Sequence, residues 1–294
     1  MKRKCAILTM DFLDGFVIYD KLLDKPLNDL GWNVEHISWH KKGVDWNEFD
    51  VVIIRSTWDY QDDADAFMQV LQDIENSRAI LLNPLAIAKW NINKNYLREV
   101  AAKGAKVIPT IWLDKFDLGS IGGYFKFFNT EQMIIKPTIS ANSNNTFWLK
   151  KEGYIHNKSL LEKSLINRQL MVQPFVSSII EQGEYSLFYF ADQYSHCILK
   201  TPKSGDFRVQ EEHGGQLQSI KPNKTLLIAA QKALQTIPEK VLYARIDLVE
   251  YQGEYQLMEI ELIEPSLYFN LDDKAAIRFA HAFNQWVCDI NPVR

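Results

Sequence analysis

Residues 243–261 read YARIDLVEYQGEYQLMEIE, and Leu262, Ile263, Glu264 and Pro265 follow. Apolar and polar residues alternate on both sides of Gly253, which reads as two paired strands, Tyr243 to Glu250 and Tyr255 to Ile260, with the turn near that glycine. Glu259 and Glu261 are two apart, so a strand points both to one face. With Asp247 across the hairpin on that face, three carboxylates converge. Like charges so close repel, and either a raised pKa or a bound cation must offset them. An all-oxygen, carboxylate-rich donor set suits Mg2+ or Mn2+, particularly when phosphate oxygens complete the shell. The other reading of the same pattern is the solvated outer face of an edge strand.

Upstream, the run from His196 to Arg208 combines a strand end bearing Lys200, a turn and an arginine, and Gly214-Gly215 close the same loop. A guanidinium fork suits phosphate or carboxylate, and paired glycines let a backbone approach a ligand closely. An ordinary polar surface loop is the alternative. Lys136 ends the strand-like run Met133 to Pro137, and Lys94 opens a helix; alone, each is a solvated cation. Leu170 to Pro174 is a second strand ending in proline. From it Gln173, Pro174, Phe175 and Val176 lead toward Gly183-Glu184. An extended segment between two lobes can offer backbone groups to a base, and Glu184 can accept from a ribose hydroxyl.

The first ninety residues have another pattern. Cys5 to Thr9, Val51 to Ile54 and Ala79 to Leu82 are apolar runs that suit strands buried on both faces of a parallel sheet. Between them, Phe67, Val70, Leu71 and Ile74 recur at helical spacing, and Leu23, Leu27 and Leu30 end at Gly31. Pro26 fits the first turn of that helix or a bend in it. Such alternation implies an open α/β sheet with its site at the carboxyl ends of the strands, where Arg55 to Tyr60 fall. Helix capping by Thr57 or Asp59 is the alternative there. From Asn93 the order is a helix through Tyr96, Leu97, Val100 and Ala101, the strands above, a hairpin around Ala191-Asp192, and helices Leu226 to Leu234 and Asp273 to Val287. Grouped strands with segregated helices indicate α+β. Boundaries near Asn91 and Gln173 give an amino-terminal α/β domain (1–91), a central lobe (92–173) and a carboxy-terminal lobe (174–294).

With 294 residues, 47% of them hydrophobic, the chain is long enough for more than one core. Lys+Arg 33 against Asp+Glu 37 leaves a net charge of −4, which argues against a nucleic-acid partner. No apolar run approaches the roughly 18 residues of a membrane span. Neither a disulfide framework nor a zinc site fits the widely spaced Cys5, Cys197 and Cys288. Met1 to Lys4 are not followed by an apolar targeting segment, so a cytoplasmic location is expected. The sequence contains no G-x-S-x-G elbow, P-loop or G-x-G-x-x-G.

In this order, Lys94, Ile135-Lys136-Pro137, Gln173 to Val176, Gly183-Glu184, Gly205 to Arg208, Gly214-Gly215, Asp247 and Glu259 to Glu261 resemble the ATP-grasp superfamily. The resemblance spans roughly Asn83 to Phe269. It lies in the glutathione-synthetase-like branch, nearest the cyclo-ligase type that closes O-ureido-D-serine to D-cycloserine. Proteins of that type share the segments that stand here as Ser56 to Tyr60, Gly205 to Gln210 and Ile263 to Pro265.

The resemblance implies a Rossmann-like amino-terminal domain followed by two α+β lobes that clasp ATP. It further implies that Lys94 and Lys136 contact phosphates, with Ser140 in the flap above them. Gln173, Phe175 and Val176 form the adenine hinge, and Glu184 holds the ribose. Asp247, Glu259 and Glu261 hold two Mg2+ ions (Mn2+ being the substitute), and Arg208, Lys200 and Arg245 serve catalysis. A small amino-acid-like substrate would meet Asp11, Thr57, Trp58, Asp59, Tyr60, Gly214 and Gly215, with Tyr268 and Asn270 nearby; the oligomeric state stays open, a homodimer being one option.

Three positions depart from the superfamily pattern. Glu261 stands where Asn is common, the flap Thr138 to Asn145 is rich in Ser and Asn instead of Gly, and Ser186 replaces a basic residue often found two after the ribose acid. The last departure argues against a glutathione-type substrate. The implied activity is ATP-dependent carboxylate–nitrogen ligation through an acyl phosphate, by an external amine or by ring closure. The alternatives are a non-catalytic nucleotide-binding module and a small-molecule kinase.

Overall fold

The computed structural model describes residues 3–141 and 143–290 and contains three sheets. In the first, Arg3–Thr9 (β1), Trp32–Ser38 (β2), Val51–Ser56 (β3) and Ile80–Leu82 (β4) run parallel in the order β2-β1-β3-β4. Every residue of β3 is buried, as its unbroken apolar run requires of a strand covered on both faces. Val52 and Ile54 pack on helix Ala64–Glu75 through Phe67, Leu71 and Ile74. On the opposite face, Val51 and Ile53 join Phe279 and Phe283 of the carboxy-terminal helix Ala275–Ile290. Pro26 lies in the first turn of helix Asp24–Asp29, where its missing N–H costs nothing.

The second sheet contains Ile111–Leu113 (β5), Gln132–Pro137 (β6), Phe147–Lys150 (β7) and Leu170–Pro174 (β8), antiparallel in the order β5-β8-β6-β7. Met133, Ile135, Leu170 and Val172 pack against helices Ile121–Phe128 and Lys158–Leu165. The pleat therefore turns Ile134 and Lys136 to the other face.

Glu184–Phe190 (β9), Gln193–Thr201 (β10), Gln216–Ser219 (β11), Tyr243–Tyr251 (β12) and Glu254–Glu261 (β13) form the third sheet, antiparallel in the order β11-β10-β9-β12-β13. One of its faces is covered by helices Tyr96–Ala102 and Lys224–Leu234. Sequence order assigns Tyr96, Leu97 and Val100 to the central lobe, but they pack in the core of this third sheet with Leu187, Ile246 and Ile260. The boundary at Gln173 therefore places parts of that one core in different lobes. Among the described residues, no helix is long and apolar enough to cross a membrane.

Candidate functional site

The other face of the third sheet packs Phe188, Phe190 and Tyr243 against helix Ala275–Ile290, and the rest of it forms one wall of a cleft. On the hairpin, Asp247 stands opposite Glu259 and Arg245 opposite Glu261. Leu257 and Ile260 are both core residues although three apart, a spacing that sends regular strand residues to opposite faces. A bulge at Met258, where the register passes from the Asp247–Glu259 pair to the Leu248–Leu257 pair, resolves this and aims Glu259 and Glu261 at the cleft. β13 is an edge strand; the backbone of Lys106 to Ile108 bridges its rim at Leu257, and side chains close it at Ile260 and Leu262. The Tyr96 hydroxyl donates to the Ile260 carbonyl at 2.9 Å and accepts from the Ile260 amide at 2.8 Å. Asn91 Nδ2 donates to the same carbonyl at 2.8 Å, and Asn91 Oδ1 accepts from the Leu262 amide at 3.0 Å.

The carboxylates share one cleft, but they do not gather into a bare cage. Among the described residues, no group of three or more His, Cys, Asp or Glu side chains stands as a formed metal centre. The expected convergence is corrected by interleaved cations. Arg245 bridges Asp247 at 2.8 Å and also pairs with Glu261, Lys94 holds Glu259 at 2.8 Å, and Lys200 pairs with Glu184 and lies 3.6 Å from Asp247. Ser186, fully buried, donates to Asp247.

Burial opposes the charge of Asp247, yet Arg245 and Lys200 hold its carboxyl below the ordinary range. Glu261 is pushed up to about 7 by burial, with Asp247 and Glu259 adding to the effect of desolvation and Arg245 opposing it. Burial, aided by Glu261, pushes Glu264 up to about 8. Carboxyls so raised mark a donor set short of positive charge, and such all-oxygen chemistry fits a divalent cation. Across the cleft, Lys136 makes no ion pair among the described residues, and burial, with Lys94 nearby, lowers its pKa.

The cleft takes in about 1460 Å³, part of it open to solvent. One end is apolar, lined by Ile108, Ile134, Val176, Ile179 and Met258. The other carries the charged groups above, and Trp58 and Tyr60 reach it from the first sheet. Two loops meet over the opening. Phe207 packs edge-on to Trp148 and Phe175, which stack at 4.3 Å, and Gln210 Nε2 donates to Ser143 Oγ at 3.0 Å. Asn142, in the same flap, lies outside the described residues. Gly183, at φ +107°, brings the chain so close to β10 that a Cβ would stand 2.6 Å from the Lys200 carbonyl oxygen. That approach seats Glu184 opposite Lys200.

Of the residues singled out by sequence, Lys94, Lys136, Ser140, Gln173, Phe175 and Val176 line this cleft. So do Glu184, Lys200, Arg208, Arg245, Asp247, Glu259 and Glu261. Arg208 is at its rim, paired with Asp206 at 2.6 Å.

Five others do not line it. Asp11 is exposed, and Thr57 is fully buried with its hydroxyl unpartnered. Asp59 accepts from Trp39 Nε1 and binds His40 Nε2, each at 2.7 Å; it neither reaches the cleft nor caps a helix, a role Asp63 fills for helix Ala64–Glu75. Gly214 and Gly215 serve the loop's own closure. A Cβ on Gly215 would meet the Val209 carbonyl oxygen at 2.1 Å, and the Gly215 amide donates to Gln210 O. Sequence reasoning missed Asn91, Tyr96 and Glu264 as site-forming groups. The available signal was a polar side chain amid apolar neighbours, which Asn91 supplies and Tyr96 disguises.

Comparisons with known proteins agree with this geometry. Residues 5–83 match the family described as the D-cycloserine synthetase DcsG N-terminal domain. Over 275 residues the chain is 26% identical to the cycloserine biosynthesis protein DcsG of Streptomyces lavendulae, covering 86% of this chain and 88% of that protein. The crystal structure of D-cycloserine synthetase DcsG superposes with a TM-score of 0.84 at 24% identity, covering 97% of this chain and 99% of that one. D-alanine–D-alanine ligase from Bacillus anthracis gives 0.71 at 11% identity over 99% of both chains. The ATP-grasp ligase PsnB, solved with minimal precursor, Mg and ADP, gives 0.64 at 12% identity over 96% of this chain and 98% of its own. The chain has an ATP-grasp fold. In this ATP-grasp arrangement the clasping lobes are the second and third sheets, and the first sheet contributes Trp58 and Tyr60 at the charged end of the cleft.

Proposed function

We propose that the protein is an ATP-dependent ligase joining a carboxylate carbon to nitrogen on a small amino-acid-like molecule, with ADP and phosphate as by-products. One observation carries the reading. An apolar recess continues into a wall of interleaved acids and bases, and there the half-buried Lys136 ammonium has no ion partner among the described residues. A desolvated, unpaired cation beside such a recess calls for a polyanion with a flat apolar head.

In this reading the purine lies among Ile108, Val176 and Met258 with Gln173 and Phe175 at its edge, and Glu184 accepts from the ribose. Lys94 and Lys136 neutralise the phosphates beneath Ser140 and the flap. Asp247, Glu259 and Glu261 would hold two Mg2+ ions, whose charge would offset that of the polyphosphate and lower the repulsion met by an incoming carboxylate. With Glu259 taken up in holding such ions, Lys94 would be free to turn to phosphate oxygens. Arg208 leaves Asp206 for the transferred phosphoryl group, while Arg245 and Lys200 keep Asp247 ionised.

The substrate carboxylate forms a bond to the γ-phosphorus as ADP departs. Nitrogen then bonds to the acyl carbon as phosphate departs, leaving its proton to solvent or phosphate. Holding that nitrogen at reacting distance removes roughly 7–11 kcal/mol of barrier. The loops carrying Phe207 and Ser143 exclude water from the acyl phosphate. Likeness to the cycloserine protein favours ring closure of an O-ureido-D-serine-like substrate over external ligation.

Phosphate release with MgATP across D- and L-amino acids and O-ureido-D-serine, with product masses recorded, tests the proposal. Substrate-dependent phosphate with a condensed or ring-closed product is expected; from O-ureido-D-serine the ring-closed product is the dehydrated one, or that product after loss of its carbamoyl group. A phosphorylated product without free phosphate would mean a kinase, and binding without turnover a regulatory module.

A further inference from the structure

The segment after β13 is pinned from β12 and from the first sheet. The Tyr243 hydroxyl donates to Ile263 O at 2.9 Å, Trp58 Nε1 donates to Glu264 O at 2.9 Å, and the buried Arg55 donates to Pro265 O. Backbone held on three successive residues leaves the Glu264 side chain little choice of direction. It lines the cleft with Tyr60, whose hydroxyl is near enough to feel its charge.

Every other acid on the hairpin wall has an ion pair: Asp247 and Glu261 share Arg245, and Glu259 has Lys94. Glu264 makes no ion pair among the described residues. Lys94, the basic group that acts on it most, is committed to Glu259 and to the Ser140 carbonyl at 2.7 Å. Arg245 and Lys94 are thus committed to the hairpin and the flap, Lys200 to Glu184 and Arg208 to Asp206, while Glu264 lines the cleft with Trp58, Tyr60, Ser266 and Tyr268; Glu212, from the loop before Gly214, is the other lining acid without an ion pair among the described residues.

From this juxtaposition we infer that Glu264 receives the ammonium group of the amino-acid-like substrate, with Tyr60 orienting the carboxylate. The inference rests on the ligase reading for the position of the substrate. An ammonium held here orients an amino acid with its cationic end on Glu264 and its acid end toward Arg245 and the transferred phosphate. A neutral or anionic head group meets an uncompensated acid at the same spot, so the subsite selects for amines by charge.

The test is calorimetric binding to the full chain with Mg2+ and a non-hydrolysable ATP analogue. O-ureido-D-serine, D-serine and D-alanine are compared with their counterparts lacking the amine, 3-(ureidooxy)propanoate, 3-hydroxypropanoate and propanoate. The wild type should prefer an amine-bearing ligand by about 10- to 100-fold, the range of a charge-assisted hydrogen bond. Glu264→Gln should erase that preference while nucleotide and Mg2+ affinity stay within about twofold, which also verifies that the variant is folded. Tyr60→Phe should reduce the preference without abolishing it. A Glu264→Gln protein that keeps the preference, a wild type that shows none, or a parallel loss of Mg2+ binding overturns the assignment. A wild type that prefers amines yet releases no phosphate defeats the ligase reading alone. One that turns over amine-free acids equally well defeats the Glu264 assignment alone.

Discussion

Replacing Tyr96 by Phe removes one oxygen from the protein and nothing else, and its consequence can be worked from the rim of β13. The Ile260 amide points off the free edge of the sheet and bonds the Tyr96 hydroxyl at 2.8 Å. The Ile260 carbonyl accepts from the same hydroxyl, but it keeps Asn91 Nδ2 at 2.8 Å when the hydroxyl is gone. The carbonyl loses little, whereas the buried N–H is left unpaired. A stranded donor of this kind costs about 1–3 kcal/mol, so Tyr96→Phe should lower the unfolding free energy by about 2 kcal/mol. Ile260 lies between Glu259 and Glu261, so the same change should raise the Mg2+ concentration needed for half-maximal activity. Urea unfolding followed by fluorescence gives the first number, and a Mg2+ titration of turnover gives the second. A stability change below about 0.5 kcal/mol with an unchanged Mg2+ requirement would refute the view that this side chain substitutes for a missing strand.

Three further outcomes follow from individual contacts. His196 is stacked on Phe188 at 4.2 Å, and burial lowers its pKa from 6.5 to about 4. The unfolded chain therefore binds more protons between these values, and stability present above pH 6.5 is lost as pH falls toward 4. Up to ~3 kcal/mol is at stake, and the acid limb of the urea-midpoint profile should flatten by that much in His196→Phe. Gly215→Ala would put a Cβ against the Val209 carbonyl and displace the loop; turnover should fall more than tenfold while nucleotide affinity measured by a fluorescent analogue persists. Arg208→Ala should abolish substrate-dependent ADP release with ATP binding largely intact, and near-normal turnover would remove Arg208 from the chemistry.

Legibility followed periodicity. The β1, β3 and β4 runs, the β9–β10 and β12–β13 pairs and the helix beginning at Ala64 were readable because burial on one or two faces imposes a period of two or 3.6. Strand β2 was missed: it lies at the sheet edge, its burial is uneven, and Glu35 and His36 break its apolar pattern. β5, β7 and β11 are as short as β4 but less buried, so no buried run marks them.

The acids and bases of the cleft were found as residue types, but their mutual pairing was not, because ion pairs such as Lys94–Glu259 join positions far apart in sequence. The Arg55 to Tyr60 segment shows the same limit in reverse. Proximity to a strand end was correct for Trp58 and Tyr60, whereas Asp59 turns back to Trp39 and His40 because those partners come from the loop after β2.

Transfer of oxygen-18 tests the acyl-phosphate account most directly. With MgATP and O-ureido-D-serine labelled in its carboxylate, phosphorus NMR of the released phosphate should show one labelled oxygen per turnover, carried from the carboxylate to phosphorus. Phosphate released unlabelled during normal product formation would mean that the carboxylate never attacks the γ-phosphorus, and the mechanism assigned to this cleft would be wrong.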